Sequence, residues 1–254
     1  AGIALAAGQT LNQVLAIPGD PGVAGSGAKR IGAVTNDPDD LLVAYLKSLG
    51  FKPVLLDGVS LTNSSTVDSY DYLFFPSRPS DLDGSNVPYA QHASVVNNLQ
   101  SFLNRGSRIY FADWSGDYLE SVFPDAVNFY DAPDASAASQ VGAEADVTAT
   151  VNDSSLAALL GSSTLMLHLE PAYLLMLDTG VIPGTRAIVR TLLQGERLFQ
   201  PPGTPAPAPV SLGTGPLVVE FDHGAGRVTF SSAGGSLPPL TDEMKALLRA
   251  IIFR

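Results

Sequence analysis

The stretch from Arg30 to Gly50 limits the fold more than any other part of the chain, because it holds a complete strand, turn and helix. Ile31-Gly32-Ala33-Val34-Thr35 is a short, almost uninterrupted apolar run, as expected of a strand buried on both faces. Asn36-Asp37-Pro38-Asp39-Asp40 follows, with a capping side chain, a first-turn proline and two first-turn acids where a helix start favours them. Leu42, Tyr45, Leu46 and Leu49 then recur at helical spacing, and Gly50 supplies the stop.

The same alternation continues. Apolar runs at Pro53 to Leu56, Tyr72 to Phe75 and Arg108 to Ala112 predict further strands. A helix carrying Val95, Val96, Leu99, Phe102 and Leu103 on one face, with His92 near its start, precedes the Gly106 stop. Strands that alternate with helices predict an α/β, flavodoxin-like fold with a mainly parallel sheet and helices on both faces.

From about 132 to 210 the pattern turns to Ala, Ser and Pro with β-like runs at Thr164 to Leu169, Leu174 to Leu177 and Ala187 to Leu192, which predicts a β-rich excursion. Leu217 to Phe221 and Arg227 to Ser231 flank Asp222-His223-Gly224-Ala225-Gly226 as a hairpin. Thr241-Asp242-Glu243 then caps a last helix with Met244, Leu247, Leu248 and Ile251 as its apolar stripe. Residues 30–254 therefore form one domain, preceded by a Gly/Ala-rich apolar arm over 1–29.

Charge and composition narrow the partners. The 14 Lys and Arg against 25 Asp and Glu give a formal charge of −11, which disfavours nucleic acid and anionic membrane surfaces. No apolar run has the length of a membrane span. The chain has no cysteine, so thiol nucleophiles, thiolate metal sites and disulfides are excluded. A start at Ala1 with no initiator Met, few lysines and abundant Ser, Thr, Gly and Ala point to a mature chain after signal removal, secreted or on a cell surface. No cofactor is expected.

Three stretches resemble the class I glutamine amidotransferase-like superfamily, which also contains trehalose-utilisation-like proteins and noncatalytic domains of bacterial surface proteins. They are Tyr70-Asp71-Tyr72-Leu73-Phe74-Phe75-Pro76, then Leu103 to Gly116, then Gly226 to Ser232 with the capped terminal helix. The active relatives expose a nucleophile at a strand-to-helix elbow and carry a His after a late strand. Laid on Ala112-Asp113-Trp114-Ser115-Gly116, the resemblance puts Trp114 at the nucleophile position, and Ala233-Gly234-Gly235 stands where the His is expected. It thus implies the fold while contradicting the activity.

A noncatalytic amidotransferase-like domain, a pseudoenzyme acting in protein binding or assembly, is the leading expectation. The chain also fits a hydrolase of a carbohydrate or ester, with Ser115 or Asp113 reacting and His223 or His168 as base. A third option is a structural subunit of an ordered extracellular assembly. Ser115 is otherwise a helix N-cap, and Trp114, with Asp113 and Ser115, either contacts a ligand such as a sugar ring or plugs the old pocket. Asp37, Asp81 and Asp83 are the metal candidates, with alternating oxygen ligands of the kind that hold Ca²⁺.

The arm from Ala1 to Ile17 carries Ile3, Leu5, Leu11, Val14, Leu15 and Ile17 and no charged side chain. Burial on its own domain or on a partner is expected, opposed by the cost of ordering the backbone. Deleting residues 1–17 is expected to lower either the thermal midpoint or the mass measured by light scattering. An unchanged midpoint together with an unchanged mass would make the arm a bystander.

Overall fold

The structure, a computed structural model, describes residues 29–76, 88–129, 141–179, 188–203, 205–234 and 240–254. The arm (1–17), Asp81 and Asp83 lie outside them. In chain order the first half comprises β1 (Ile31–Val34), α1 (Leu41–Ser48), β2 (Val54–Leu56), α2 (Gly58–Leu61), α3 (Ser64–Val67), β3 (Tyr72–Phe75), α4 (Ala93–Asn104), β4 (Arg108–Ala112), α5 (Gly116–Val122) and β5 (Val127–Phe129). There follow β6 (Ala145–Val151), α6 (Ser154–Leu160), β7 (Thr164–Leu169), β8 (Met176–Thr179), β9 (Arg190–Phe199), β10 (Val210–His223), β11 (Gly226–Ser231) and α7 (Asp242–Phe253).

Nine strands form one sheet in the order β2-β1-β3-β4-β11-β10-β9-β6-β7, and β5 pairs with β8 separately. The pairings among β2, β1, β3, β4 and β11 are all parallel, as the apolar runs predict. From β11 through β10, β9 and β6 to β7 every pairing is antiparallel. The segment expected as an excursion therefore contributes β6, β7 and β9 to the same sheet.

Alternation along the parallel strands sends side chains to two apolar layers. Tyr72, Phe74 and Tyr110 join Leu42 and Leu46 of α1, Leu156 of α6 and Leu247, Leu248 and Ile251 of α7. Leu73, Phe75, Ile109, Phe111 and Phe230 join Leu61, Val67, Leu99, Phe102 and Tyr118 of α2 to α5. Both faces are thus covered by helices, as parallel sheets require.

Local signals act where expected, with one shift. Gly50 and Gly106 adopt left-handed φ of 88° and 93° at the ends of α1 and α4. Thr241 Oγ1 accepts from Met244 N at 3.2 Å to cap α7, and His92 stands at the N-cap position of α4. The start of α1 falls later than the Asn36 signal indicates: Asp40 is the cap, its Oδ1 accepting from Leu42 N and Val43 N at 2.9 and 3.3 Å. Asp37 instead closes a turn by accepting from Asp39 N at 2.9 Å.

At the N-terminal edge of the parallel strands, a buried acid ties α7 to the antiparallel strands. Glu220, 1% exposed, receives Arg190 at 2.9 Å and Arg254 at 2.8 Å, with Arg227 at 3.7 Å. Removing Glu220 leaves Arg190 and Arg227 sharing Asp222, at 3.3 and 3.1 Å, and Arg254 with Asp153 at 3.5 Å, so the buried arginine donors lose their nearest acceptor but not every carboxylate. Glu220→Ala is expected to cost about 1–3 kcal/mol in denaturant unfolding, the cost of buried donors left without an acceptor, and Glu220→Gln less, because the amide oxygen still accepts hydrogen bonds. Loss below about 1 kcal/mol, on the scale of a surface ion pair, would contradict this role for Glu220.

Candidate functional site

The end of β4 is a sharp strand-to-helix elbow. Arg108 to Ala112 is held between β3 and β11, and the next residue, Asp113, turns the chain with φ of 46°. A 3-10 turn over Asp113–Ser115 follows and leads into α5, so Trp114 lies in the turn between strand and short helix as expected. The left-handed backbone, however, belongs to Asp113, one residue before the position at which the resemblance places the nucleophile. Such a conformation is uncommon for a residue with a Cβ and persists only where its surroundings enforce it.

The enforcing element is the segment from Glu170 to Leu175, which crosses the C-terminal edge of the parallel strands as a strap. The main chain of Leu174 is bonded on both sides: its N–H donates to Asp113 Oδ1 at 3.0 Å, and its carbonyl accepts from Ser232 Oγ at 2.8 Å. Those partners follow β4 and β11, so one residue joins the ends of two neighbouring strands. Gly116 makes room for it, since a Cβ there would meet Leu174 Cδ1 at 2.6 Å. Ala172 in the strap has φ of 64°, and with Asp113 it makes up the non-glycine left-handed positions among the described residues.

Two further acids converge on this edge. Glu170 is 3% exposed, and its Oε2 would lie 3.1 Å from a Cβ added at Gly234, where Asp113 Cβ would lie at 3.2 Å. The residue at the expected His position is thus a glycine, against which the Glu170 carboxylate and Asp113 pack. Burial pushes the Asp113 carboxyl up to about 7, with the Leu174 and Trp114 N–H groups opposing and Glu170 adding repulsion. At Asp40 burial again dominates and raises the carboxyl to about 6, against the α1 N–H bonds and with repulsion from Asp37 and Glu170.

The other candidates fall apart from this cluster or are already engaged. Ser115 occupies the N-cap position of α5, but its hydroxyl makes no capping bond; it donates to Ala112 O at 2.7 Å and is fully buried. His223 cannot serve it as a base. It pairs with Gly226 at the start of β11 while Ala112 pairs with Ser231 at its end, five strand positions or about 16 Å along the sheet. There the His223 ring lies tilted against Phe123 with centroids 4.9 Å apart, and burial lowers its pKa. His168 Nδ1 is taken by Asp146 at 2.8 Å. Trp114 is half-buried and packs on the α2 to α5 layer. Among the described residues no group of His, Cys, Asp or Glu has the arrangement to hold a metal ion, Asp37 included. No helix among them is long and apolar enough to cross a membrane.

Asp40, Glu170 and Gly234 do not appear among the sequence-derived candidates. Asp40 is legible only as a cap, and Glu170 lies far from the elbow in sequence. Leu169-Glu170-Pro171 offers one signal, an acid directly after an apolar run.

No family model matches the chain, and no curated protein matches it by sequence. Its fold is that of several solved structures. A ThuA-like protein from Bacteroides uniformis superposes with a TM-score of 0.56 at 13% identity, covering 90% of this chain and 93% of that one. A GMP synthase protein from Thermoplasma acidophilum gives 0.52 at 11% identity over 88% and 92% of the two chains. A cytoplasmic protein from Salmonella typhimurium gives 0.51 at 9% identity over 88% and 97%. The chain is similar to these in its class I glutamine amidotransferase-like, flavodoxin-like α/β fold.

The two raised carboxyls set a pH dependence of known sign. Each binds its proton more tightly in the folded chain than at the ordinary value of 3.8, so their contribution to stability is full below about pH 4 and is lost as pH rises to about 7. Asp113→Asn keeps an oxygen for Leu174 N–H, tolerates the left-handed backbone and cannot ionise. It is expected to raise the thermal midpoint by several degrees at pH 8 and leave it unchanged at pH 4. A variant that lowers the midpoint equally at both values would refute a buried, repelled carboxylate.

Proposed function

We propose that this chain is a noncatalytic amidotransferase-like domain acting in protein binding or assembly, within a secreted or cell-surface bacterial protein. One observation carries the proposal. The elbow residue with the strained backbone, Asp113, spends its carboxylate on the Leu174 N–H beneath a strap whose Tyr173, Leu174 and Leu175 are at most 2% exposed. A nucleophile needs an open approach and a base within hydrogen-bond reach. Here the approach is filled by the chain itself, Ser115 gives its proton to a main-chain carbonyl, and Gly234 replaces the expected base. The export part rests on composition alone: few lysines and abundant Ser, Thr, Gly and Ala.

The test is hydrolysis of glutamine and of chromogenic ester and glycoside panels by the wild type, Ser115→Ala and Asp113→Asn. All three are expected to match the buffer rate. A turnover or burst in the wild type that either substitution abolishes would establish a hydrolase in place of a binding domain. Trp114 is the single tryptophan, so its emission during a titration with oligosaccharides reports sugar binding at the elbow without a label. No shift is expected, and a saturable shift would turn the binding role from protein to carbohydrate.

A further inference from the structure

We propose that the chain self-associates through the free edge of β7, which pairs antiparallel with β7 of a second copy and joins the two nine-stranded sheets into one. β7 ends the sheet, with β6 as its only neighbour among the described residues. Native folds guard such an edge with a Lys, a Pro, a bulge or a very short strand. The other end of the sheet is guarded in this way, since β2 is three residues long and follows Lys52-Pro53. β7 is six residues, Thr164-Leu165-Met166-Leu167-His168-Leu169, with no Lys, Pro or Gly and an unbroken register against β6.

The main-chain bonds decide which groups of β7 are open. Antiparallel pairs alternate between bonded and non-bonded. Val151 N–H donates to Ser163 O at 2.9 Å, which makes Val151 and Ser163 a bonded pair and, two residues at a time along the register, Ala149 with Leu165 and Val147 with Leu167 as well. Thr164, Met166 and His168 therefore turn their N–H and C=O groups away from β6. The Ser162 hydroxyl occupies both groups of Thr164, accepting from its N–H at 3.1 Å and donating to its carbonyl at 2.7 Å. Met166 and His168 keep theirs, a donor and an acceptor each, and Met166 is 48% exposed.

A second β7 fits these groups. Turned by a two-fold axis through Leu167, it sets Met166 opposite His168 of the second copy and His168 opposite Met166 of the second copy, so that each open donor meets an open acceptor. Residues paired in this register lie on the same face, so the buried row Leu165, Leu167 and Leu169 meets the same row of the second copy, and Met166 and His168 meet theirs. Charge allows the approach even in a chain of −11, because β7 carries no acid. Asp146, beside the edge, is engaged by its own His168 at 2.8 Å and would stand about 16 Å from Asp146 of the second copy, beyond a screening length of about 8 Å. A foreign peptide is the weaker occupant: it must order every residue as it docks, whereas the second strand is already extended. One strand pair buries less than the roughly 800 Å² per partner of a standard interface, so the dimer belongs to the weak, reversible class. The pairing names a partner for the assembly role and rests on that reading, but it does not involve the elbow, so turnover there and failure to pair here are separate outcomes.

Sedimentation velocity from about 1 μM to about 1 mM, with amide exchange read residue by residue at both ends of that range, tests the pairing. The mass is expected to rise toward that of two chains. The amides of Met166 and His168 are expected to exchange about tenfold more slowly once roughly nine chains in ten are paired, while those of Leu165 and Leu167, already bonded to β6, stay slow throughout. Met166→Pro removes an outward N–H and leaves the β6 ladder intact. Met166→Asp keeps the N–H but sets two new acids about 9 Å apart across the axis. Both are expected to stay monomeric over the whole range, whereas Val54→Asp, at the β2 edge, is expected to pair as the wild type does. A wild type that stays monomeric, a mass increase that leaves the 166 and 168 amides unchanged, or a Met166→Asp chain that pairs like the wild type would overturn the proposal. So would full protection of those two amides at the lowest concentration, which would assign the edge to a segment of the same chain.

Discussion

The Leu174 main chain is the joint on which the C-terminal edge of the sheet depends. Its N–H goes to the residue after β4 and its carbonyl to the residue after β11, both at distances of good hydrogen bonds. Neither bond is exposed to water, so neither can be exchanged for solvent without stranding a buried polar group, which costs more than the bond itself contributes. The strained φ of Asp113, the left-handed Ala172 and the missing side chain at Gly116 are all conditions for that joint. Here the fold keeps the elbow but uses its strain to hold the strap.

That use has an electrostatic consequence. Asp113, Asp40 and Glu170 are each at most 4% exposed, and the influences on the first two are burial, backbone N–H groups and neighbouring acids. Backbone donors supply partial charges only, so desolvation wins at Asp113 and raises its carboxyl to about 7. Glu220 at the opposite edge is buried as deeply and has two arginines within 3 Å. One edge of the sheet is therefore held by full ion pairs and the other by hydrogen bonds to carboxyls that repel.

Much of this architecture is legible in the sequence because it is local. The runs at Ile31, Tyr72 and Arg108 give the parallel strands, the glycines at 50 and 106 end the helices, and Thr241 caps the last one, since each signal acts within a few residues. The membership of β6, β7 and β9 in the main sheet is not legible, because alternation fixes which face a residue takes but not which strand lies beside it. The candidate site divides the same way. Asp113 and Ser115 are visible from the elbow pattern. Glu170 reaches the site only because the chain folds back across the sheet, and no spacing rule relates positions 113 and 170. Register also decides against His223: a His that looks close to the late strand in sequence lies at its far end, because a hairpin reverses direction before the strand begins.

The strap also explains why a glycine follows the late strand. With Leu174 fixed over the elbow, the chain before it must bring Glu170 back to the same edge, and its carboxylate comes within van der Waals reach of the main chain at Gly234. A side chain there, histidine included, would have to displace either the carboxylate or the backbone of Asp113. A histidine at position 234 would therefore break the joint. Glycine at position 234 and closure of the elbow by the strap are one structural choice, since the space a side chain would need is the space that Glu170 and Asp113 fill.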